Sequence, residues 1–323
     1  ARAAAEDGAD IAVIAPPQDA AGISGTWPRE YTLARDDDAG TLTASTPYYS
    51  FQHNLKRGGA MSAIRLTHGR AENLLAQPAE CSVRLPGEGG GYFSDLNDNA
   101  PKITRAKSGK FETVTIECAL RDGKGRDSGI RAATRYEYRW GYVKIHREFT
   151  FPPTVKEVNL INAFSAIFDP SLEQYGYRQG VSEQEGTDPF GFGVMQWRKL
   201  RPGAYFDPPL QTRFVPRYLA LLNPGVEGVE WFVSDDLSQW DYQAAGTPGR
   251  GYCTVRSSIQ PLGIAFSVHP LNAGGSVQAQ RTYVFDFYIG IPILEGHANK
   301  PWLHASFNRN KGAWVSPEQV KKW

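Results

Sequence analysis

The chain has 323 residues, 41% of them hydrophobic and 21% charged, which is the balance of a soluble globular protein large enough for one big domain or two ordinary ones. Thirty-five basic residues against 34 acidic ones leave a net charge of +1, so the composition carries neither the footprint of a nucleic-acid binder nor the polybasic signal of a membrane-surface protein. No apolar run approaches the ~20 residues that span a bilayer.

The opening Ala1-Arg2-Ala3 has neither an initiator Met nor the apolar core of a signal peptide, as in a mature exported protein or an engineered chain. A secreted or periplasmic location is the expectation. Residues 1–29 read as an N-terminal arm rich in Ala, Asp and Gly. Strand signals begin near Glu30 and continue to about Leu294. In chain order they predict strands over 41–51, 60–66, 111–120, 131–140, 142–151, 155–168, 214–222, 228–234, 252–259, 262–268 and 277–289. The clearest is 142–151, where Val143, Ile145, Phe149 and Phe151 line one face and Lys144, His146, Glu148 and Thr150 the other. Long alternating strands joined by polar turns, with 33 Gly and 22 Pro, predict antiparallel sheets each buried on one face. Gly87-Glu88-Gly89-Gly90-Gly91 lacks the Lys-Ser/Thr ending of a phosphate loop and reads as a flexible connection.

The segment from Asp169 to Gln211 has few strand signals but holds Tyr175, Tyr177 and Trp197. Disordered segments are poor in aromatics, so an ordered excursion over a sheet face is expected. By period-2 alternation Cys81, Cys118 and Cys253 all point inward, which predicts buried free thiols. No Cys or His pair has the spacing of a metal site.

The stretch from Tyr48 to Leu66, with Gly58-Gly59 at its centre, is followed by His68-Gly69 and Glu72-Asn73-Leu74-Leu75. A strand, a Gly-Gly, a second strand and then G-x-x-E-N-L-L resembles the opening of galactose-mutarotase-like β-supersandwich domains. A second stretch, Gly228 to Trp240, is similar to the G-x-x-W-F segment of N-terminal sandwich domains that precede the catalytic barrel of certain glycoside hydrolases. The resemblance implies an all-β, two-sheet antiparallel supersandwich over 30–295. It also implies a linker at 296–323 around Lys300-Pro301-Trp302, leading into a helix capped by Ser316-Pro317. Stand-alone mutarotases use histidines as acid and a late Glu as base. Glu295 lacks the family's surrounding pattern here, which speaks against an aldose epimerase.

Three constellations carry candidate chemistry. Glu173, Glu183, Glu185 and Asp188 lie in the aromatic excursion. Glycoside cleavage needs two carboxylates, one protonated and one ionised, and Glu173 and Glu185 are the candidates; a solvated loop is the plain alternative. His146, between Lys144 and Glu148 on a polar sheet face, is a candidate general base, against the alternative of a cross-strand charge ladder. Asp235, Asp236 and Asp241 beside Trp231 and Trp240 admit a calcium-supported sugar platform, although their spacing matches no fixed calcium loop and no cofactor is required. Tyr175, Tyr177, Trp197, Trp231 and Trp240 are the expected glycan contacts.

Three functions follow as expectations. The first is a β domain of a glycoside hydrolase-type protein, shaping a glycan cleft beside a catalytic domain. The second is a complete polysaccharide lyase or glycosidase, and the third a sugar-binding subunit without chemistry. The implied partner is an oligo- or polysaccharide, with a catalytic domain or a second copy of the chain as protein partner.

Overall fold

The computed structural model describes residues 32–46, 48–67, 69–87, 91–108, 111–139, 142–172, 174–178, 195–199, 205–206, 218–223, 226–232, 252–257 and 263–290. The expected arm, linker and helix start lie outside them. Strands β1 (Thr32–Asp36), β2 (Thr41–Ser45), β3 (Tyr49–Asn54) and β4 (Ala60–Leu66) form an antiparallel meander. Then come β5 (Leu75–Arg84), β6 (Tyr92–Ser94), a 3₁₀ turn at Asp95–Asn97, β7 (Lys102–Ser108), β8 (Phe111–Arg121), β9 (Asp127–Tyr138) and β10 (Tyr142–Thr150). The second half supplies β11 (Glu157–Phe168), β12 (Gln174–Arg178), β13 (Met195–Lys199), β14 (Tyr205–Phe206), β15 (Tyr218–Asn223) and β16 (Glu227–Phe232). It ends with β17 (Tyr252–Ser257), β18 (Ile264–His269), β19 (Leu271–Gln278) and β20 (Thr282–Gly290).

These strands make two facing layers. One runs β13-β12-β15-β16-β20-β10-β9-β8, with β7 on β8; the other runs β5-β11-β18-β17-β14, with β19 also on β11. The short β6 joins them, pairing Ser82 with Ser94 and Ser94 with Arg121. The β1–β4 meander abuts β5 through the Leu74 amide, which donates to the Ile64 carbonyl. Its inner face meets β9, where Phe51 lies 6.5 Å from the Tyr138 ring and His53 4.6 Å from that of Tyr136.

Alternation drives the packing. On β10, Val143, Ile145 and Phe149 are fully buried and Arg147 is buried in the same phase, while Lys144, His146 and Glu148 between them are partly exposed. Each such side chain contributes about 1.5–3 kcal/mol when removed from water. Phe164 of β11 meets Phe287 of β20 at 5.7 Å, and Trp231 of β16 meets Phe266 of β18 at 5.8 Å, closing the core between layers. Cys81 and Cys118 are buried free thiols, as expected. Cys253 is on β17, with its side chain outside the described residues.

The glycine-containing motifs serve this architecture. Gly58 and Gly59 both have positive φ, 63° and 66°, at the turn between β3 and β4. The Gly58 amide donates to the Asp98 carbonyl at 2.5 Å. In the G-x-x-E-N-L-L segment, Asn73 Oδ1 accepts from the amides of Ile64 and Leu75, each at 3.0 Å, and fixes the corner between β4 and β5.

Several strands differ from the sequence expectation of eleven. The predicted strand 41–51 is two, because Thr46 Oγ1 accepts from the amides of Tyr48 and Tyr49 at 3.2 and 3.1 Å and turns the chain. The predicted 277–289 is likewise divided at Ala279–Arg281 between β19 and β20. The 169–211 excursion contains β12, β13 and β14. Its described parts extend sheet edges rather than crossing a face, since β12 pairs with β15 and β14 with β17.

A histidine–aspartate pair on the outer sheet face

The outer face of the β8–β9–β10–β20 layer is built by the same alternation that buries Val143 and Ile145. On β9, Arg131, Ala133, Arg135 and Glu137 point outward, and on β10 Lys144, His146, Glu148 and Thr150. Register stacks these into rows. His146 stands opposite Arg135 on one side and Asp286 on the other, and the next row holds Glu137, Lys144 and Tyr288.

His146 Nδ1 and Asp286 Oδ1 are 2.9 Å apart, both side chains a little over one-quarter exposed. The Asp286 carboxylate can only accept, so Nδ1 carries the proton of this bond. Burial raises the Asp286 carboxyl. The hydrogen bond from His146 and the charges of His146, Lys144 and Arg135 outweigh that, and Asp286 stands below its ordinary value. The carboxylate is therefore ionised throughout the neutral range. Glu137 bridges Arg135 at 3.7 Å and Arg139 at 2.9 Å. Tyr288, nearly buried, meets Tyr142 edge to face at 5.7 Å.

This patch can do two things chemically. It offers charged hydrogen-bonding groups held by register beside the partly exposed Tyr142 ring, and it holds an imidazole against a carboxylate. Among the described residues no group of His, Cys, Asp and Glu is arranged to hold a metal ion.

The other residues singled out in the sequence are placed as follows. Glu173, Glu183, Glu185, Asp188, Asp235, Asp236, Trp240 and Asp241 lie outside the described residues. Tyr175 and Tyr177 are on β12, opposite Arg198 and Gln196 of β13; Trp197 pairs with Gly176, one position out of phase with both tyrosines. Trp231 is 2% exposed and packs on Phe266 and Phe287. A stacking platform needs an open ring face, so Trp231 is a core residue rather than a sugar contact. The partners Asp286, Arg135 and Tyr288 were not singled out in the sequence. Asp286 shows there only as one polar residue of an alternating strand, 140 positions from His146.

No protein-family model and no curated protein matches the sequence. Solved structures do match in shape. A GH36 α-galactosidase from Geobacillus stearothermophilus aligns with a TM-score of 0.50 and 11% identity, over 89% of this chain and 44% of that one. A TPR-domain containing protein from Parabacteroides distasonis aligns with a TM-score of 0.50 and 9% identity, over 78% and 46%. A galactose mutarotase related enzyme from Lactobacillus acidophilus aligns at 0.45 and 7% identity, over 81% and 97%. This chain thus spans less than half the length of the first two. At such identities the likeness shows the fold alone, the large antiparallel β-sandwich expected from the sequence.

Proposed function

We propose that this chain is the β-sandwich domain of a glycoside hydrolase-type protein, presenting the outer face around His146 and Asp286 as a wall of a glycan-binding cleft. The observation that carries the reading is the His146–Asp286 pair, set in register beside Arg135, Lys144 and the partly exposed Tyr142. Register-held donors and acceptors next to aromatic edges suit a ring that carries hydroxyls on its rim and C–H groups on its faces. That the sandwich is shared with an α-galactosidase, of which this chain spans 44%, supports a domain working beside a catalytic one. Export from the cytoplasm belongs to the same reading.

The test is isothermal titration of malto-, cello-, xylo- and galacto-oligosaccharides into the wild type, His146→Ala and Asp286→Asn. Binding by at least one series, weakened tenfold or more in both variants, is expected. Absence of binding to every series overturns the reading.

A second reading rests on the 2.9 Å hydrogen bond itself. A carboxylate that orients an imidazole is how a general base is prepared, and a complete lyase or glycosidase would use His146 that way. Turnover of a glycan by the isolated chain, lost in His146→Ala, would favour it over the first.

A further inference from the structure

The outer face does not stop at His146. Two residues along the strands from its row, Ala133 stands between Glu117 and Glu148; two further on, Arg131 stands between Ala119 and Thr150. Here the chain leaving the 3₁₀ turn rises over the sheet edge, and a cleft of about 500 Å³ opens between them. Its walls are Asp98, Asn99, Lys102, Glu117, Arg121 and Arg131. Its depth comes from Ala119 and Ala133, where longer side chains would fill it. Thr150 is four positions along β10 from His146, a distance of ~13 Å at strand rise.

The charges of this cleft are matched. Lys102 lies 3.4 Å from Glu117. Arg131 makes two parallel bonds to Asp127 at 2.9 and 3.0 Å. Arg121 lies 3.5 Å from Asp127 and 3.9 Å from Asp98. An anionic ligand would have to displace these carboxylates from their cations. A neutral polyhydroxyl ligand would not, because a guanidinium has five donors, of which Arg131 spends two on Asp127 and one on the Ile130 carbonyl.

We infer that the glycan site extends from the His146–Asp286 pair into the Arg131 cleft, and so takes a neutral oligosaccharide of several units rather than a single sugar. This rests on the preceding assignment of the His146 face to glycan binding. The assignment requires only that some sugar bind there. The inference adds the ligand's length, its lack of charge and a second set of contacts.

The experiment titrates each neutral series, from the monosaccharide to the hexasaccharide, and oligogalacturonates of the same lengths. The proteins are the wild type, Arg131→Ala, Ala133→Trp and His146→Ala, each checked by circular dichroism and thermal melting. Affinity should rise over the first three or four neutral units and then level. Arg131→Ala, at a half-exposed side chain, and Ala133→Trp should each remove at least tenfold of that gain while leaving the shortest ligand's affinity unchanged. His146→Ala should weaken every length. Affinity independent of length, full gain in both cleft variants, or preference for the uronates overturns the inference but leaves the assignment standing. If no ligand binds, the assignment itself fails. Should Ala133→Trp not fold, Arg131→Ala alone decides.

Discussion

Arg147 of β10 reaches across the sandwich and donates to the carbonyl of Ala163 on β11, in the opposite layer. Its Nε donates to Thr134 Oγ1 at 2.9 Å and its guanidinium lies over the Phe287 ring at 5.8 Å. The positive charge also acts through space on Asp95, which is buried, accepts from the Cys81 amide at 3.0 Å and takes the Cys81 thiol at 3.2 Å. Burial pushes the Asp95 carboxyl up and the charge of Arg147 pulls it down.

Removing the cation should therefore cost more than its contacts suggest. Arg147→Ala is expected to lose about 3–5 kcal/mol, because the Ala163 carbonyl and Thr134 lose their donor and buried Asp95 loses the nearby positive charge. Urea unfolding at neutral pH measures this. Asp95→Asn in the Arg147→Ala background should recover part of the loss. A penalty below about 1 kcal/mol would show that Asp95 does not depend on Arg147.

Buried His53 and half-buried Glu80 pull stability in opposite directions as pH changes. His53 sits between the Gly59 carbonyl at 2.9 Å and the Tyr138 hydroxyl at 2.6 Å, an arrangement that suits the neutral ring protonated on Nδ1. Burial, helped by the charge of Arg147, lowers its pKa from 6.5 to about 4. The unfolded chain takes up a proton that the folded protein excludes, so this group costs stability as pH falls from 6.5 to about 4. Glu80 does the reverse. Burial and the charge of Asp95 push its pKa from 4.5 up to about 7. The folded protein holds a proton that the unfolded chain has released, so its stabilising effect is complete below 4.5 and disappears by about 7.

The two slopes, each approaching ~1.4 kcal/mol per pH unit, should nearly cancel between 4.5 and 6.5 in the wild type. His53→Gln is expected to unmask a protein that gains stability as it is acidified. Glu80→Gln is expected to unmask one that loses it, and to be more stable than the wild type above pH 7. Urea titrations across this range would contradict the idea if all three proteins gave parallel curves.

Gly58 has no room for a side chain. A Cβ there would lie 2.2 Å from the Asp95 carbonyl oxygen, on a backbone with φ of 63°. Gly58→Ala combines left-handed strain with a backbone clash, so a loss of more than about 2 kcal/mol is expected. The lost tether between the β3–β4 turn and the 3₁₀ turn should also appear as faster exchange of the Gly58-side amides. A melting temperature within a degree of wild type would refute it.

Arg70 clamps three segments. Its Nε bonds Glu227 at 2.5 Å, its Nη2 reaches Asp169 at 3.2 Å and Ser171 at 2.6 Å, and its Nη1 meets Glu72 at 3.0 Å. The Glu227 side chain is fully buried, whereas Arg70 is one-third exposed. Arg70→Ala is expected to cost about 2–3 kcal/mol, at or below the lower end for a broken buried pair because water reaches the site. Glu227→Gln in that background should be milder than Arg70→Ala alone. A double variant worse than the single one would rule out the uncompensated charge as the cause.

Much of this was legible in the sequence, for physical reasons that can be named. The alternation along 142–151 put Val143 and Ile145 inside and His146 outside because a strand's period is two, whatever the partner strand is. The opening from Tyr48 to Leu75 signalled the β-sandwich through Gly58-Gly59 and Asn73, residues whose backbone and amide geometry few others replace. What stayed hidden depends on long-range register. Nothing local ties His146 to Asp286, or Arg70 to Glu227, 157 positions away. β5 and β7 were not among the predicted strands: Pro78 interrupts β5, and the basic residues Lys102, Arg105 and Lys107 break the alternation of β7. Arg147 falls in the apolar phase of β10, and that breach of pattern was its only sequence signal.

The pairing of β10 with β20 bears on the order of events at synthesis. His146 is made long before Asp286, and on a ribosome adding ~5–20 residues per second the histidine waits several seconds for its partner strand. Until β20 arrives, β10 is an unpaired edge, one-sided and apolar within. The polar groups of the proposed glycan wall come into line only when β20, the last described strand, docks. Any cut or frameshift ahead of Thr282 should leave β8, β9 and β10 able to zip together but unable to form the site, with an adhesive border where β20 belongs.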